Sequence, residues 1–310
     1  MRGVLCILKQ HELELAVAEA KALIHGWGWW NHKEQAEDGT LFFKGKRKIP
    51  QELALTRKII HVLAVCAPGK LQERLKTLEI PVQGSFRVVL TKKVELAVHE
   101  RELASIVWQK QQATVDLLNP ETIVEIVLTK KKAYIGLRAQ EYKGDFEIRR
   151  AHLLPAPHPT GMHPALARAF VHLVCVDRIH DPFCGAGGLV LEAGLAGKKI
   201  SGADIEPKMI ARAKKNCSAY YLRPELRLAD ATVWLPKAAI VTDLPYGKGT
   251  KPVNMKSLLE AFLLRAKTSC DRMVLGLPCE MKNFHGWKVC AHFSSYIHKH
   301  MTRHFYVLER

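Results

Sequence analysis

The half of the chain after residue 165 alternates short apolar, β-rich runs with amphipathic segments, and this alternation restricts the fold more than any other feature of the sequence. Strands are predicted at 176–181, 198–204, 226–229, 238–242 and 272–277, and helices at 165–176, 187–196, 207–220 and 257–267. Two more runs, 288–297 and 304–308, predict a closing pair of strands. Strands that alternate with helices form a parallel sheet with helices on both faces. The sequence therefore predicts an α/β fold for this half.

The first half of the chain shows a different pattern. Strands are predicted at 87–91, 122–128 and 132–137 and helices at 11–25 and 93–110, an α+β arrangement without a catalytic motif. Between the halves, residues 154–164 contain four prolines and a glycine. Because proline disfavours a helix at its own position and at the preceding one, this stretch predicts a structured linker and a domain boundary near residue 150.

Charge predicts a polyanionic partner. The chain has 47 lysines and arginines against 30 aspartates and glutamates, and both halves carry a basic surplus. Such a surplus attracts nucleic acid through its phosphates. Three basic clusters, at 44–48, 92–93 and 130–132, add to this interpretation in the first half.

The cysteines and the hydropathy pattern predict the cellular compartment in which the protein is found. None of the eight cysteines is spaced C-x-x-C, and no histidine pair follows in zinc-finger spacing, so we expect reduced cysteines and no metal site. No run of 18 apolar residues occurs, and therefore no membrane-spanning helix is expected. These features favour a cytoplasmic protein.

A glycine-rich motif, Asp181-Pro-Phe-Cys-Gly-Ala-Gly-Gly188, lies between the first strand and the first helix of the α/β half. Glycines at this place let a ligand approach the backbone closely at a helix N-terminus. Asp204 ends the next strand, 19 residues after Gly185. One carboxylate there can accept hydrogen bonds from both hydroxyls of a ribose. The motif predicts a site for a nucleoside-containing cofactor.

Two features favour S-adenosylmethionine over a nicotinamide dinucleotide. The dinucleotide pattern needs a glycine at position 190, where this chain has valine, and this argues against a dehydrogenase. Asp181 would repel a pyrophosphate but can serve a cationic amino acid group. Asp230, which ends the third strand, can accept a hydrogen bond from an adenine amine.

The second motif is Asp243-Leu-Pro-Tyr-Gly247, which follows the fourth strand. An amine on a purine ring is a poor nucleophile because its lone pair is delocalised. The carboxylate of Asp243 can accept a hydrogen bond from that amine and stabilise the developing positive charge. Pro245 holds Leu244 extended, so that the Leu244 carbonyl can accept the second amine hydrogen, and Tyr246 can stack on the base. These four residues are the predicted catalytic residues.

These motifs resemble those of class I methyltransferases, in the version used by the archaeal-type, THUMP-containing tRNA guanine-N2 methyltransferases. The matching runs are Asp181–Gly188, Gly202-Ala-Asp-Ile205, Ala229-Asp-Ala231, Asp243–Gly247, 158–168 and 300–306. Over residues 50–148 the resemblance is weaker, and depends on 115–120 and 133–136, which look like the end of a THUMP domain. The chain departs from the family at Leu244, where proline is more usual, and at Ala186, where threonine or serine is common.

The resemblance implies four segments: a small α+β domain at 1–50, a THUMP RNA-binding domain at 51–148, a linker at 149–164 and a class I, Rossmann-like methyltransferase domain at 165–310. It implies that S-adenosylmethionine is bound by Thr160, Asp181, Phe183, Cys184, Gly185, Ala186, Gly187, Asp204, Ile205, Asp230, Ala231 and Asp243. It also implies that the protein is a monomer, that it binds tRNA and that it does not bind a membrane. Whether a small zinc-binding activator protein is needed, as in some relatives, is left open.

The implied reaction is methylation of the exocyclic N2 amine of a guanosine in tRNA, at position 10, with one or two methyl groups. Position 6 of tRNA or a guanosine of rRNA is the near alternative. A DNA adenine methyltransferase shares the D-x-P-Y motif, although the separate basic domain fits RNA better. A non-catalytic RNA-binding scaffold is a further alternative, but such a scaffold is expected to lose the strand-end acids.

Overall fold

A computed structural model describes residues 2–48, 50, 52–111, 113–142, 145–159, 161–244, 255–298 and 301–310. The chain forms two compact units. One consists of Met1–Ala20 and Lys33–Lys143, and the other of Lys21–His32 and Gly144–Arg310. The division between the units falls after residue 143, five residues before the predicted boundary at 148/149. The residues after the division belong to the second unit, and one of them, Leu154, is buried in a hydrophobic cluster of that unit.

In the described part of the first unit, six strands form one sheet in the order β2-β1-β3-β6-β5-β4. These strands are β1 (Gly3–Leu8), β2 (Thr40–Lys44), β3 (Thr56–Cys66), β4 (Phe86–Lys92), β5 (Thr122–Leu128) and β6 (Ala133–Glu141). The pair β4–β5 is parallel and the other pairs are antiparallel. The helices are α1 (Leu13–His25), whose residues 21–25 belong to the second unit, α2 (Leu71–Thr77) and α3 (Glu100–Gln111).

Two expectations for this half differ from the structure. A separate domain over residues 1–50 is not formed, because β1 pairs with β3 across that boundary, for example Gly3 with Val62. The helix predicted at 93–110 begins only at Glu100. A tight turn, in which the Val98 amide donates to the Leu96 carbonyl, comes before it.

The second unit has the predicted α/β architecture. Within its described residues the sheet order is β12-β13-β11-β10-β7-β8-β9. The strands are β7 (Arg178–Asp181), β8 (Lys199–Asp204), β9 (Glu225–Leu228), β10 (Ala239–Asp243), β11 (Arg272–Leu277), β12 (Lys288–His298) and β13 (Met301–Glu309). The helices are α4 (Pro164–His172), α5 (Gly188–Leu195), α6 (Pro207–Ser218) and α7 (Met255–Ala266). The pairs β11–β13 and β12–β13 are antiparallel, and the other pairs described in this sheet are parallel.

Strand order determines where a site can form. The chain passes from β7 to β8 and β9 on one side, and then returns to place β10 on the other side of β7. At such a reversal the connections leave in opposite directions, and a crevice opens at the carboxyl ends of the strands. Asp181, Asp204 and Asp243 are the last residues of β7, β8 and β10. Within the described ranges, no helix has the length and apolar character that a bilayer crossing requires.

A tryptophan-rich segment from near the N-terminus belongs to the second unit. The side chain of Trp29 is almost fully buried, stacks on Phe293 with ring centres 5.9 Å apart, and donates from Nε1 to the Leu173 carbonyl. Trp27 donates to Glu309 at 2.9 Å and lies under the guanidinium of Arg272. The tryptophans of this segment therefore pack against residues that lie more than 100 positions away in the sequence.

We expect Trp29→Ala to lower the free energy of unfolding of the full-length protein by about 3–5 kcal/mol, since it removes a large buried aromatic ring. Urea unfolding followed by circular dichroism measures this loss. Trp108→Ala is the matched control, because Trp108 on α3 is 50% exposed, and it should cost less than about 1 kcal/mol. Equal losses in the two variants would contradict the assignment of Trp29 to the core of the second unit.

Candidate active site

A cavity of about 1060 Å³ opens at the carboxyl ends of β7, β8 and β10. Ligand cavities of about 300–1,000 Å³ are usual, so this one can hold a large ligand. Four aspartates line the described part of its wall: Asp181, Asp204, Asp230 and Asp243. A row of acids at the ends of adjacent strands is suited to a ligand with cationic groups and hydrogen-bond donors.

The glycine-rich loop leaves room along one wall. Gly185 and Gly187 have φ angles of +51° and +87°, in the left-handed region that favours glycine. Gly185 and Gly188 both line the cavity, and apart from their own neighbours in the chain no atom of the described residues lies within 4 Å of the position that a Cβ would take at either residue. A ligand can therefore lie directly against this backbone.

Asp204 ties the glycine loop to the end of β8. Its Oδ2 accepts a hydrogen bond from the Gly185 amide and its Oδ1 accepts one from the Glu206 amide, both at 2.9 Å. Burial raises the pKa of Asp204, while these backbone donors oppose the rise. Each carboxylate oxygen has a second lone pair. The side chain can thus bind two neighbouring hydroxyls of a ligand while it holds the loop.

Asp181 joins β7 to β10. Its Oδ1 accepts hydrogen bonds from the Thr242 hydroxyl at 2.6 Å and from the Phe183 amide at 3.2 Å. The side chain is almost fully buried, and burial raises the pKa of Asp181 to about 7, with the nearby carboxylates of Asp204 and Asp243 acting in the same direction. Asp181 is therefore ready to ionise when a cation binds beside it.

Asp230 follows β9 and begins a tight turn. Its Oδ1 accepts from both the amide and the hydroxyl of Thr232, at 2.8 and 2.7 Å. These bonds fix the carboxylate at the cavity wall, close in sequence to buried Ala231. Ile205, which is mostly exposed, adds an apolar surface to the same wall.

Asp243 lies at the end of β10 with 13% of its side chain exposed. Burial raises the pKa of Asp243 to about 6, and the guanidinium of Arg303 opposes this rise. The next residue, Leu244, is buried, and its amide donates to the Gly276 carbonyl at 3.0 Å. This bond fixes the chain direction immediately after the carboxylate.

Most of the predicted cofactor residues come together here. Those in the described part of the chain that line the cavity are Asp181, Phe183, Cys184, Gly185, Ala186, Asp204, Ile205, Asp230, Ala231 and Asp243. Gly187 shapes the loop behind the wall, since a Cβ there would lie 3.0 Å from that of Ala213. The predicted residues Thr160, Pro245 and Tyr246 lie outside the described residues.

Sequence reasoning missed Asn216, which joins the linker to the glycine loop. This fully buried amide on α6 accepts from the Ala156 amide at 2.8 Å and donates to the carbonyls of Ala156 and Ala186. Leu154, His158, Gly161 and Met162 of the linker contribute to the cavity wall. A lone asparagine on the apolar face of α6, beside Ala213 and Cys217, is the signal that could have identified it.

The linker also contributes a buried ion pair. Arg149 donates from Nε to Oε1 of Glu192 on α5 at 2.6 Å, and Arg168 on α4 contacts the other oxygen of Glu192 at 3.0 Å. Arg149 and Glu192 both line the cavity. The wall therefore includes a cation as well as the row of aspartates.

Comparison with known proteins identifies the class of the second unit. Residues 152–286 match the family described as the RMKL-like methyltransferase domain. The structure of TrmN from Thermus thermophilus aligns with 99% of this chain and 99% of its own, with a TM-score of 0.53 and 21% sequence identity. The second unit is thus a methyltransferase domain with a Rossmann-like fold, and the predicted fold of this half is confirmed.

Two relatives identify the family. The tRNA (guanine(10)-N2)-dimethyltransferase of Pyrococcus abyssi is 32% identical over 74% of this chain and 75% of that protein. The protein of the same name from Methanothermobacter thermautotrophicus is 29% identical over 99% of each chain. The chain belongs to the tRNA (guanine(10)-N2)-dimethyltransferase family, which confirms the resemblance found in the sequence.

We expect Asp181→Asn to stabilise the ligand-free protein at pH 8 by on the order of 2–4 kcal/mol. The folded-state pKa near 7 lies above that of an unfolded aspartate. Asp181 therefore favours folding when protonated, and this contribution is lost as the pH rises through 7. The asparagine can still accept from Thr242 and Phe183 but never ionises, so its advantage should shrink steadily between pH 7 and pH 4.

Urea unfolding at pH 8, 6 and 4.5 measures this dependence. Asp177→Asn is the control, because Asp177 comes just before the same strand but its side chain is 83% exposed and pairs with Lys198. We expect no increase in the free energy of unfolding for this control variant. A gain for Asp181→Asn that did not change with pH would show that burial of charge is not its cause.

Proposed function

We propose that this protein transfers methyl groups from S-adenosylmethionine to the N2 amine of guanosine 10 in tRNA. One observation carries the proposal: Asp204 and Asp243, at the ends of strands on either side of β7, line the same cavity. A carboxylate that can hold a ribose and one that can accept from an amine are thus within one site. The names of the relatives support the substrate and the position.

The cavity suits each part of this cofactor. The two oxygens of Asp204 would accept from the ribose hydroxyls, and the carboxylate of Asp230 would accept from the adenine amine. The backbone at Gly185 and Gly188 leaves space for the ligand. Asp181 would face the cationic amino group, and Arg149 is a cation of the wall that can bind the methionine carboxylate. When bound, the cofactor supplies a methyl group activated by a sulfonium.

Asp243 would act on the acceptor amine. Its carboxylate would accept one N2 hydrogen, and the Leu244 carbonyl would accept the other, so that the nitrogen lone pair is directed at the methyl carbon. As the new C–N bond forms and the C–S bond breaks, the nitrogen gains positive charge, which a nearby carboxylate stabilises. With a pKa of about 6, Asp243 is mostly ionised at neutral pH and can accept the released proton.

The first unit would bind the tRNA as a THUMP domain. The clusters at 44–48, 92–93 and 130–132 are almost entirely solvent-exposed, and together they offer a basic surface to phosphates. We place the reaction in the cytoplasm, where tRNA is processed, and expect a monomer.

Label transfer to a defined tRNA tests the proposal. The protein is incubated with methyl-labelled S-adenosylmethionine and an unmodified transcript that carries guanosine at position 10, and the RNA is then digested to nucleosides. A matched transcript with inosine at position 10 lacks only the N2 amine. We expect label in N2-methylguanosine and N2,N2-dimethylguanosine from the first transcript and none from the second.

The other outcomes separate the alternatives. Equal labelling of both transcripts would move the target to another guanosine of the tRNA. Label in methyladenosine would indicate an adenine methyltransferase, and no label in any nucleoside would favour a non-catalytic RNA-binding protein. Each of these results contradicts the proposal.

A further inference from the structure

Arg303, on the last strand of the sheet, contacts the carboxylate at the centre of the proposed reaction. Its Nη2 lies 3.2 Å from Oδ2 of Asp243, and only 5% of its side chain is exposed. Asp243 lines the cavity, whereas Arg303 is not among the described residues of the wall. Arg303 can therefore affect a bound substrate through Asp243, without touching it.

A glycine makes this ion pair possible. On β11, which lies between β10 and β13, Gly276 pairs with Asp243 on one side and with Phe305 on the other. Paired residues share a face of a sheet, and so do residues two positions apart, so Arg303 lies on the same face as these three. A Cβ at position 276 would lie only 2.3 Å from Oδ1 of Asp243. The missing side chain therefore leaves room for the Asp243 carboxylate on the face of the sheet that also carries Arg303.

We propose that Arg303 is a positioning residue that keeps the Asp243 carboxylate ionised and oriented toward the N2 amine. The inference rests on the function proposed above and adds a residue to that site. The guanidinium of Arg303 lies beside Oδ2 of Asp243, and each carboxylate oxygen can accept more than one hydrogen bond.

Electrostatics explain why such a partner is needed. A carboxylate stabilises a developing cation only when it is ionised, yet burial raises the pKa of Asp243 to about 6. Asp181, an acid on β7, also interacts electrostatically with Asp243, and an ionised Asp181 disfavours a second negative charge. From β13, the buried guanidinium of Arg303 acts in the opposite direction, and the residue of β11 that pairs with Asp243 is the uncharged Gly276. Without Arg303, we expect the fall in the rate of methyl transfer at acid pH to begin at a higher pH.

A titration that does not require activity tests the pair directly. The full-length protein is labelled with ¹³C at the aspartate carboxyl carbon, and the Asp243 signal is identified by its absence in Asp243→Asn. Replacing Arg303 with methionine should raise the pKa of Asp243 by about one to three pH units. Arg303→Lys keeps the charge and should titrate close to the wild type. Should the methionine variant fail to fold, Arg303→Gln serves for the same titration.

Turnover provides the second readout. At pH 6.5, Arg303→Met should transfer methyl groups to tRNA about three- to twentyfold more slowly than the wild type, with the deficit shrinking toward pH 9. The affinity for S-adenosylmethionine, measured by calorimetry, should change less than about twofold. Arg303→Met made in the Asp243→Asn background should cause no further loss, because the arginine acts through the carboxylate.

Arg310→Met is the control, since Arg310 follows the same strand and pairs with Asp271 at 2.7 Å at the surface. An unchanged pKa of Asp243 in a folded Arg303 variant would overturn the inference. So would a loss of turnover that was equal at every pH and additive with Asp243→Asn, as expected for a purely structural role. A wild-type protein that labels no guanosine would refute the proposed function instead, and the titration would still decide whether Arg303 controls Asp243.

Discussion

The site depends on one constraint, the reversal of strand order around β7. Because β8 and β10 lie on opposite sides of β7, their carboxyl ends and the acids that follow them border one crevice. Burying these carboxylates is unfavourable: burial raises the pKa of both Asp181 and Asp243, and for Asp181 the neighbouring carboxylates of Asp204 and Asp243 add to the rise. The fold offsets this with fixed donors, namely the Thr242 hydroxyl for Asp181 and the guanidinium of Arg303 for Asp243.

The second unit could be predicted from sequence because its signals are local. Several of its strands are short apolar runs that end in an acid or a turn, and β11 was predicted at its observed bounds. The first unit was predicted less well, because its sheet is built from distant pairings. β1 lies between β2 and β3, more than 30 residues further along the chain. No local pattern indicates that pairing, and the prediction of a separate domain at 1–50 failed for this reason.

In the candidate site, too, some residues could be predicted from the sequence and others could not. The aspartates could be predicted because the carboxyl ends of parallel strands meet at one edge of the sheet, where ligand sites form. The contacts of Asn216 and Arg303 could not be predicted, since their partners, Ala156 and Asp243, are each 60 residues away; for Asn216 the sequence offers only the signal of a polar residue on an apolar helix face. Gly276 gave a usable signal: a glycine inside a strand marks a close approach. Here the carboxylate of Asp243 approaches the position that a side chain at residue 276 would occupy.

The central claim is that Asp204 and Asp243 perform different tasks in one cavity. The most direct test is to measure, in the same preparations, the affinity for S-adenosylmethionine and the single-turnover rate of methyl transfer at saturating cofactor. Asp204→Ala should weaken binding by about ten- to a hundredfold and leave most of the rate at saturation. Asp243→Ala should slow transfer by about two to three orders of magnitude, with affinity within a few-fold of the wild type. A folded Asp243→Ala protein with near-normal transfer would contradict the account.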